Sequence, residues 1–478
     1  MIDLILLRRL LRGGAARLAK VKFFFNGHQF PTATFTRDGV QTLVDDTGTL
    51  QSAPAGIPAV EGLRSSWDGY HNNRPVLASI YEADTNFIGV AYDINTQTWE
   101  RLGAARGMAV GELPSGIMDL AVLKDIRRVV LQDNGEVYKG IQWADFTKHE
   151  DGTDVDLTGG NGQIMVEYPR TYIFTYVDGD KYIIALSDQQ LEGFTLHPAF
   201  EGASAIYRGA YEASVYDGKL CSISKDPADG LGNVYPVTSR AGDWGYSGLT
   251  TEATDTLAAA RGTGWRQSCL YSASWERIIQ LVAFASYNIP GIVGSGRSGL
   301  SGGAWENDSY IGPLGLGDAS GCYYSAVQNG GSAGYLTDYA QVLGVENPWD
   351  HVWERVVSLI SDHAVYAKAD PPYDYSATTG WTRLLDSYGN GITLPTSNGY
   401  AGTPHSGLGI VLPADVTGGS TSGMFDYFYQ DSGLRVLRVG GSANSGVAAG
   451  PFYWSAAGSA ASAGAAFGGR LCFKKVIS

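Results

Sequence analysis

Glycines, one serine, histidines and carboxylates are the residues whose types and spacing could carry chemistry in this chain. Gly294, Gly296 and Gly299 fit the G-x-G-x-x-G spacing of a dinucleotide loop. Such a loop needs a strand before it and a helix after it, so that the pyrophosphate meets free helix N–H groups. Here a helical pattern precedes the glycines and more loop follows, so "GSGRSGLSGG" reads as plain loop. Ser332 lies in G-x-S-x-G, but a nucleophile elbow requires an apolar strand leading in and a helix leading out. The flanking "YYSAVQN" and "YLTDY" are weak versions of either. The seven histidines form no H-E-x-x-H, and none sits within a few residues of a cysteine. His197, in "GFTLHPAF", is expected to be a hydrogen-bonded structural histidine. A glycosidase pair is defined by separation in space, so the 48 acidic residues neither supply nor remove that option. Cys221, Cys269, Cys322 and Cys472 show no metal-ligand spacing; they point to buried free thiols, with one bridge left open. No catalytic residue, metal or cofactor is expected.

The aromatics say more. Tyr numbers 28 and Trp 11, and many, including Tyr335, Tyr373, Tyr400, Tyr453 and Trp454, sit among Gly, Ser, Asn and Asp. Loops of that composition make recognition surfaces, because rigid rings supply contact area at low entropy cost. Most of these rings are nevertheless expected to fill a core with little regular structure.

The elements that must position them follow from composition and period. At 478 residues the chain is long enough for two or three domains. Only 17% of residues are charged and 64 are glycine, which disfavours disorder and favours loop-rich β structure. A net charge of −14 repels phosphate backbones, so no nucleic-acid partner is expected. The opening "MIDLILLRRLLRGGAARLAK" places Leu4, Leu7 and Leu11 on one helical face, with Gly13-Gly14 as a stop. Its apolar run is too short to span a bilayer and precedes its arginines, the reverse of a secretory signal. It either docks on a partner or on its own copies, or packs on this chain. From 23 to 83 the pattern alternates around Asn26-Gly27, Asp38-Gly39 and Thr47-Gly48, predicting short antiparallel strands. "IGVAYDINTQTWERL", "RRVVLQDNGEVYKG" and the run from Gly162 to Asp188 predict hairpins, with Pro169 at an edge or bulge. From Ser272, Trp275, Ile278, Ile279 and Val282 fall at helical spacing, with a Ser cap before them and Pro290 beyond the end.

Several segments together resemble one family: phage and prophage tail-fibre or receptor-binding proteins with a C-type-lectin fold of the formylglycine-generating-enzyme type, akin to retroelement-diversified variable proteins. They are "IGVAYD...TWERLGAARGM", "EDGTDVDLTGGNGQIMVEYPR", "EGFTLHPAF", "RGTGWRQ" leading into the Trp275 helix, "LGVENPWDHVWE" and "RVLRVGGSANSGVAAGPFYWSAAGSAASAGAAFGGRLCF". The opening "ATFTRDGVQTLVDDTGTLQSA" resembles a segment that recurs in phage structural proteins.

The resemblance implies an α+β fold, mostly β and loop. An attachment or oligomerisation helix (1–22) and a small β domain (23–83) would precede a β-rich intermediate part (84–260) and a C-type-lectin-like receptor-binding domain (261–478). It further implies a virion protein, a homotrimer, that binds other tail proteins through its N-terminal region and a host surface glycan or protein through its last loops. The receptor-binding candidates are Asn444, Ser445, Phe452, Tyr453, Trp454, Ser455, Ser459 and Ser462, with Tyr335 second. The Ala/Gly/Ser stretch of 455–466 is then an ordered loop, with Tyr453 and Trp454 facing outward. Relatives commonly carry Gly-Gly-Ser-Trp where this chain has Ala443 after Ser442. The calcium tripeptides of lectins and the cysteine pair of formylglycine-generating activity are absent. Two other expectations stand beside this one: a decoration or collar protein that cements neighbours, and a polysaccharide depolymerase.

Overall fold

Two-residue Gly turns between alternating runs should close antiparallel hairpins, and they do. In the computed structural model the described residues are the strands between 21 and 67, then 86–477 apart from 179, 192, 237–248, 298–310, 330–336, 387–388, 406, 408 and 465. The expected N-terminal helix, the Ser332 motif, Tyr335 and most of "GSGRSGLSGG" lie outside them. In the first region Phe25 pairs with His28 across Asn26-Gly27, and Arg37 with Val40 across Asp38-Gly39. Six short strands form two three-stranded sheets there, one of them holding Val21–Phe25 between His28–Phe30 and Arg64–Trp67.

The larger body is mostly β, with few helices. Ile88–Asp93 pairs with Thr98–Gly103, and Tyr172–Asp178 with Lys181–Ser187, as hairpins of one five-stranded sheet. Arg127–Leu131 and Val137–Gly140 form the hairpin over Asp133-Asn134-Gly135 and belong to a six-stranded antiparallel sheet. That sheet continues through Gln163–Pro169, Ala203–Gly209, Leu471–Val476 and Trp265–Gln267. Pro169 ends an inner strand, but pairing with Arg127–Leu131 stops at Glu167, so Pro169 is paired only with Ala205 and stands at a local edge, as expected. The last strand of the chain is inserted between strands on either side of residue 260, so the two parts expected on either side of that position share one sheet.

The helical period predicted from Ser272 appears as α2, Leu270–Phe284; a shorter helix, α1, spans Thr251–Ala259. Ser272 is not the N-cap: Cys269 is, and the Ser272 hydroxyl closes a capping box by accepting from the Cys269 N–H at 3.0 Å. Every α2 residue except Tyr271 is buried, including Glu276 and Arg277. Pro290 opens the next short helix, Ile289–Val293.

Buried charge in α2 needs partners, and these tie three layers together. Arg208, on the six-stranded sheet, donates from Nε to Glu276 at 2.8 Å and from Nη2 to both Glu354 oxygens at 2.8 and 3.1 Å. Glu354 belongs to Trp353–Ser361, a strand of the third and largest sheet, and also meets Arg470 at 3.4 Å. Burial pushes the Glu354 carboxyl up, but the guanidiniums of Arg208, Arg277 and Arg470 outweigh it and hold it down at about 2.

Candidate ligand-binding surface

A strand buries alternate residues, and Gly450–Gly458 sends Phe452, Trp454 and Ala456 into the core. Tyr453 points to the opposite face. Tyr427–Gln430 runs parallel beside it, pairing Phe428 with Trp454 and Tyr429 with Ser455, so Tyr427 and Tyr429 emerge on the Tyr453 side. Gly399–Tyr400 adds Tyr400 opposite Tyr427. On the other flank, Leu434–Gly440 sets Arg438 opposite Ser455, and Trp353–Ser361 sets Arg355 opposite Arg438.

The rings form a continuous band. Tyr400 meets Tyr427 edge-on at 5.1 Å, Tyr427 meets Tyr453 at 6.0 Å, and Tyr453 meets Trp353 at 4.5 Å. Edge-to-face packing of this kind fixes ring orientation. Tyr400, Tyr427 and Tyr453 are half-buried and Tyr429 is 46% exposed, so the band is rooted in the fold while its edges face solvent. Burial, then the neighbouring phenols of Tyr427, Tyr429 and Tyr400, push the Tyr453 hydroxyl well above its ordinary value; it is a neutral donor and acceptor.

Beneath the band lie two guanidiniums. Arg438 stacks on Phe467 at 4.0 Å and on Trp353 at 5.6 Å, and donates weakly to Ser455 Oγ at 3.4 Å. Arg355 donates to the Phe467 and Gly468 carbonyls at 3.0 and 3.3 Å and to the Ser462 carbonyl at 3.3 Å. The Ala/Gly/Ser stretch wraps these groups. Ser462 donates to the Ser459 carbonyl, Ser459 N–H donates to Ser462 Oγ, and the Ala460 carbonyl accepts from Thr251. Smallness has a local reason at Gly458, where an added Cβ would stand 3.2 Å from the Arg438 guanidinium carbon. Phe467–Gly468 then pairs in parallel with Trp353–Glu354, which ends the loop on the sheet.

The structure thus brings Tyr453, Ser455, Ser459 and Ser462 to one region but sorts them differently from expectation. Phe452 and Trp454 are fully buried and cannot touch a ligand; the strand period that exposes Tyr453 turns them inward. Trp454 instead packs in the core, where the Arg277 guanidinium lies 5.6 Å from its ring centroid. Ser455 is 2% exposed and serves Arg438. Asn444 and Ser445 lie half-buried in the neighbouring loop, where Ser445 Oγ accepts from Ser442 N–H at 3.0 Å; Val447, 80% exposed, forms its tip. Trp353, Tyr427, Tyr429 and Arg438 were not anticipated. The alternation in "YFYQ" was the available signal, because Phe428 buried implies both tyrosines out.

His197 is the expected structural histidine: its Nδ1 accepts from Ala199 N–H at 3.1 Å and its Nε2 faces the Gly409 carbonyl at 3.0 Å. Burial lowers it to about 3. Cys221, Cys269 and Cys472 are buried free thiols, and Cys322 is a half-buried one. A cavity of about 260 Å³ lies elsewhere, between α1, Trp265, Arg266 and residues 371–373. No protein-family model matches this chain, and no curated protein matches it.

Proposed function

We propose that this chain is a recognition protein of a phage virion, and that the tyrosine band of its largest sheet holds a saccharide of the bacterial surface. The observation that carries the reading is the band itself: Tyr400, Tyr427 and Tyr453 stand side by side, pre-oriented and partly exposed, with Tyr429 on the same face, on a sheet otherwise rich in buried residues. Rings held in this way offer apolar ring surface to sugar C–H groups and hydroxyls to sugar oxygens at little ordering cost. The virion setting rests on the sequence resemblance. The test is retention of purified protein on intact host cells against cells stripped of surface polysaccharide. Retention should be lost on stripping and reduced at least tenfold by Tyr429→Ala combined with Tyr453→Ala. Equal retention on both kinds of cell would defeat the reading.

Polysaccharide cleavage is a second reading, favoured by one arrangement. Glu252 and Asp255 lie one turn apart on α1 and both line the 260 Å³ cavity. Asp255 accepts from Tyr375 hydroxyl at 2.8 Å and Gln267 Nε2 at 2.7 Å, while burial raises it to about 7, the range of a general acid. On this reading, incubation with polysaccharide releases new reducing ends and Asp255→Asn stops the release. Intact polymer after incubation with wild-type protein would remove it.

A further inference from the structure

Buried charge without a counter-charge is costly; among the described residues Arg101 is one such charge, held singly by backbone carbonyls, and two more lie side by side in the floor of the tyrosine band. The buried guanidiniums of Arg128, Arg208, Arg277 and Arg470 each have a carboxylate at salt-bridge distance: Asp318 at 3.1 Å, Glu276 at 2.8 Å, Glu276 at 3.7 Å and Glu354 at 3.4 Å. Arg355 and Arg438, 1% and 8% exposed, have none among the described residues. Arg355 spends its donors on backbone carbonyls. Arg438 has only the long bond to Ser455, and its Nε and Nη1 are buried without a partner. The two charges are neighbours across paired strands, Arg355 opposite Arg438. Burial lowers both, Arg355 to about 9 with help from Arg438 and Arg438 to about 10, yet both stay protonated at neutral pH.

Stacking on Phe467 and Trp353 accounts for the position of Arg438 but does not neutralise it. Two adjacent positive charges in a low-dielectric floor act more strongly on whatever lies above them than they would in water. The whole chain carries −14, so this local excess of positive charge runs against the overall sign.

We infer that the ligand of the tyrosine band is an anionic saccharide unit, its sugar ring against Tyr453 and Tyr427 and its negative group drawn toward Arg438 and Arg355. The inference rests on the proposed reading of the band as a saccharide site and adds the charge of what it binds. A carboxylate and a phosphate share the required chemistry.

The full chain would be titrated with three immobilised polymers: polygalacturonate, poly(glycerol phosphate) and neutral dextran. One or both acidic polymers should bind about tenfold or more tighter than dextran, and which one does so identifies the anion. That preference should shrink from about 0.1 M to about 1 M salt, as the screening length falls from about 10 Å to about 3 Å. Arg438→Gln should abolish the preference and Arg438→Lys should retain much of it. Ser455→Asp, which supplies a carboxylate beside Arg438, should mimic Arg438→Gln and serves if that variant does not fold. Equal affinity for dextran and the acidic polymers, lost in Tyr453→Ala, would overturn the charge inference while leaving the band as a saccharide site. A preference unchanged in Arg438→Gln and Ser455→Asp would also overturn it. Failure to bind any of the three would count against both.

Discussion

Replacing Arg208 by methionine removes the cation that joins the six-stranded sheet, α2 and the largest sheet, while keeping an unbranched apolar stem. Two buried carboxylates, Glu276 and Glu354, lose their closest partner, each at 2.8 Å. The size of the loss can be reached by two routes. In the folded protein the Glu354 carboxyl lies at about 2 against an ordinary 4.5, the net of burial against Arg208, Arg277 and Arg470 together; at about 1.4 kcal/mol per pH unit that net is worth about 3 kcal/mol, which sets the order of magnitude for losing Arg208. Removing one partner of a buried ion pair costs roughly 3–5 kcal/mol in other proteins. The expected loss is therefore about 3–5 kcal/mol, or ~6–10 °C in Tm at roughly 2 °C per kcal/mol for a large domain. Thermal and urea unfolding followed by circular dichroism would measure it. Because folding lowers the Glu354 pKa, its contribution is complete above about 4.5 and fades as pH falls toward about 2. The gap between wild type and Arg208→Met should narrow over that window, and Glu354→Gln added to the variant should recover part of the loss. A gap below about 1 kcal/mol at pH 7, or one that stays constant down to pH 2, would refute the electrostatic account of this junction.

Other outcomes follow from the same geometry. Trp454→Ala should cost about 3–5 kcal/mol as a core truncation, whereas Tyr429→Ala should change stability by less than about 0.5 kcal/mol; chemical denaturation of the two variants compares them directly. Gly450→Ala drives a Cβ into the buried Asp426 carboxyl, which accepts from Phe452 N–H at 2.7 Å, and should lower stability by about 1–3 kcal/mol on thermal unfolding. His197 is neutral in the fold, lowered from 6.5 to about 3. The unfolded chain therefore takes up the proton first on acidification, and stability should fall by about 2 kcal/mol between pH 6.5 and pH 5. His197→Gln should flatten that part of the pH–stability profile.

Local structure was legible where short-range rules decide it. The hairpins over Asp38-Gly39 and Asp133-Asn134-Gly135, and the helix carrying Trp275 and Ile278, obey turn chemistry and period alone. The cap of that helix was misplaced because two polar groups, Cys269 and Ser272, compete for the role at its start. At the candidate site, the chain position of the closing strands was readable but their facing was not. A period of two separates Tyr453 from Phe452 and Trp454 without saying which set meets the core. Aromatic rings suit either side, so composition could not arbitrate.

By itself, then, the amino-acid order determined the β-rich class, the turn positions and the long buried helix. Tertiary structure alone decided which charges face one another. Arg208 and Glu354 are 146 residues apart, and Arg438 meets Arg355 only because two distant strands are neighbours in the largest sheet. The physical reason is range. Turn and helix preferences act over a few residues, whereas burial and Coulomb interaction depend on distance through space, which exists only after the sheets have packed.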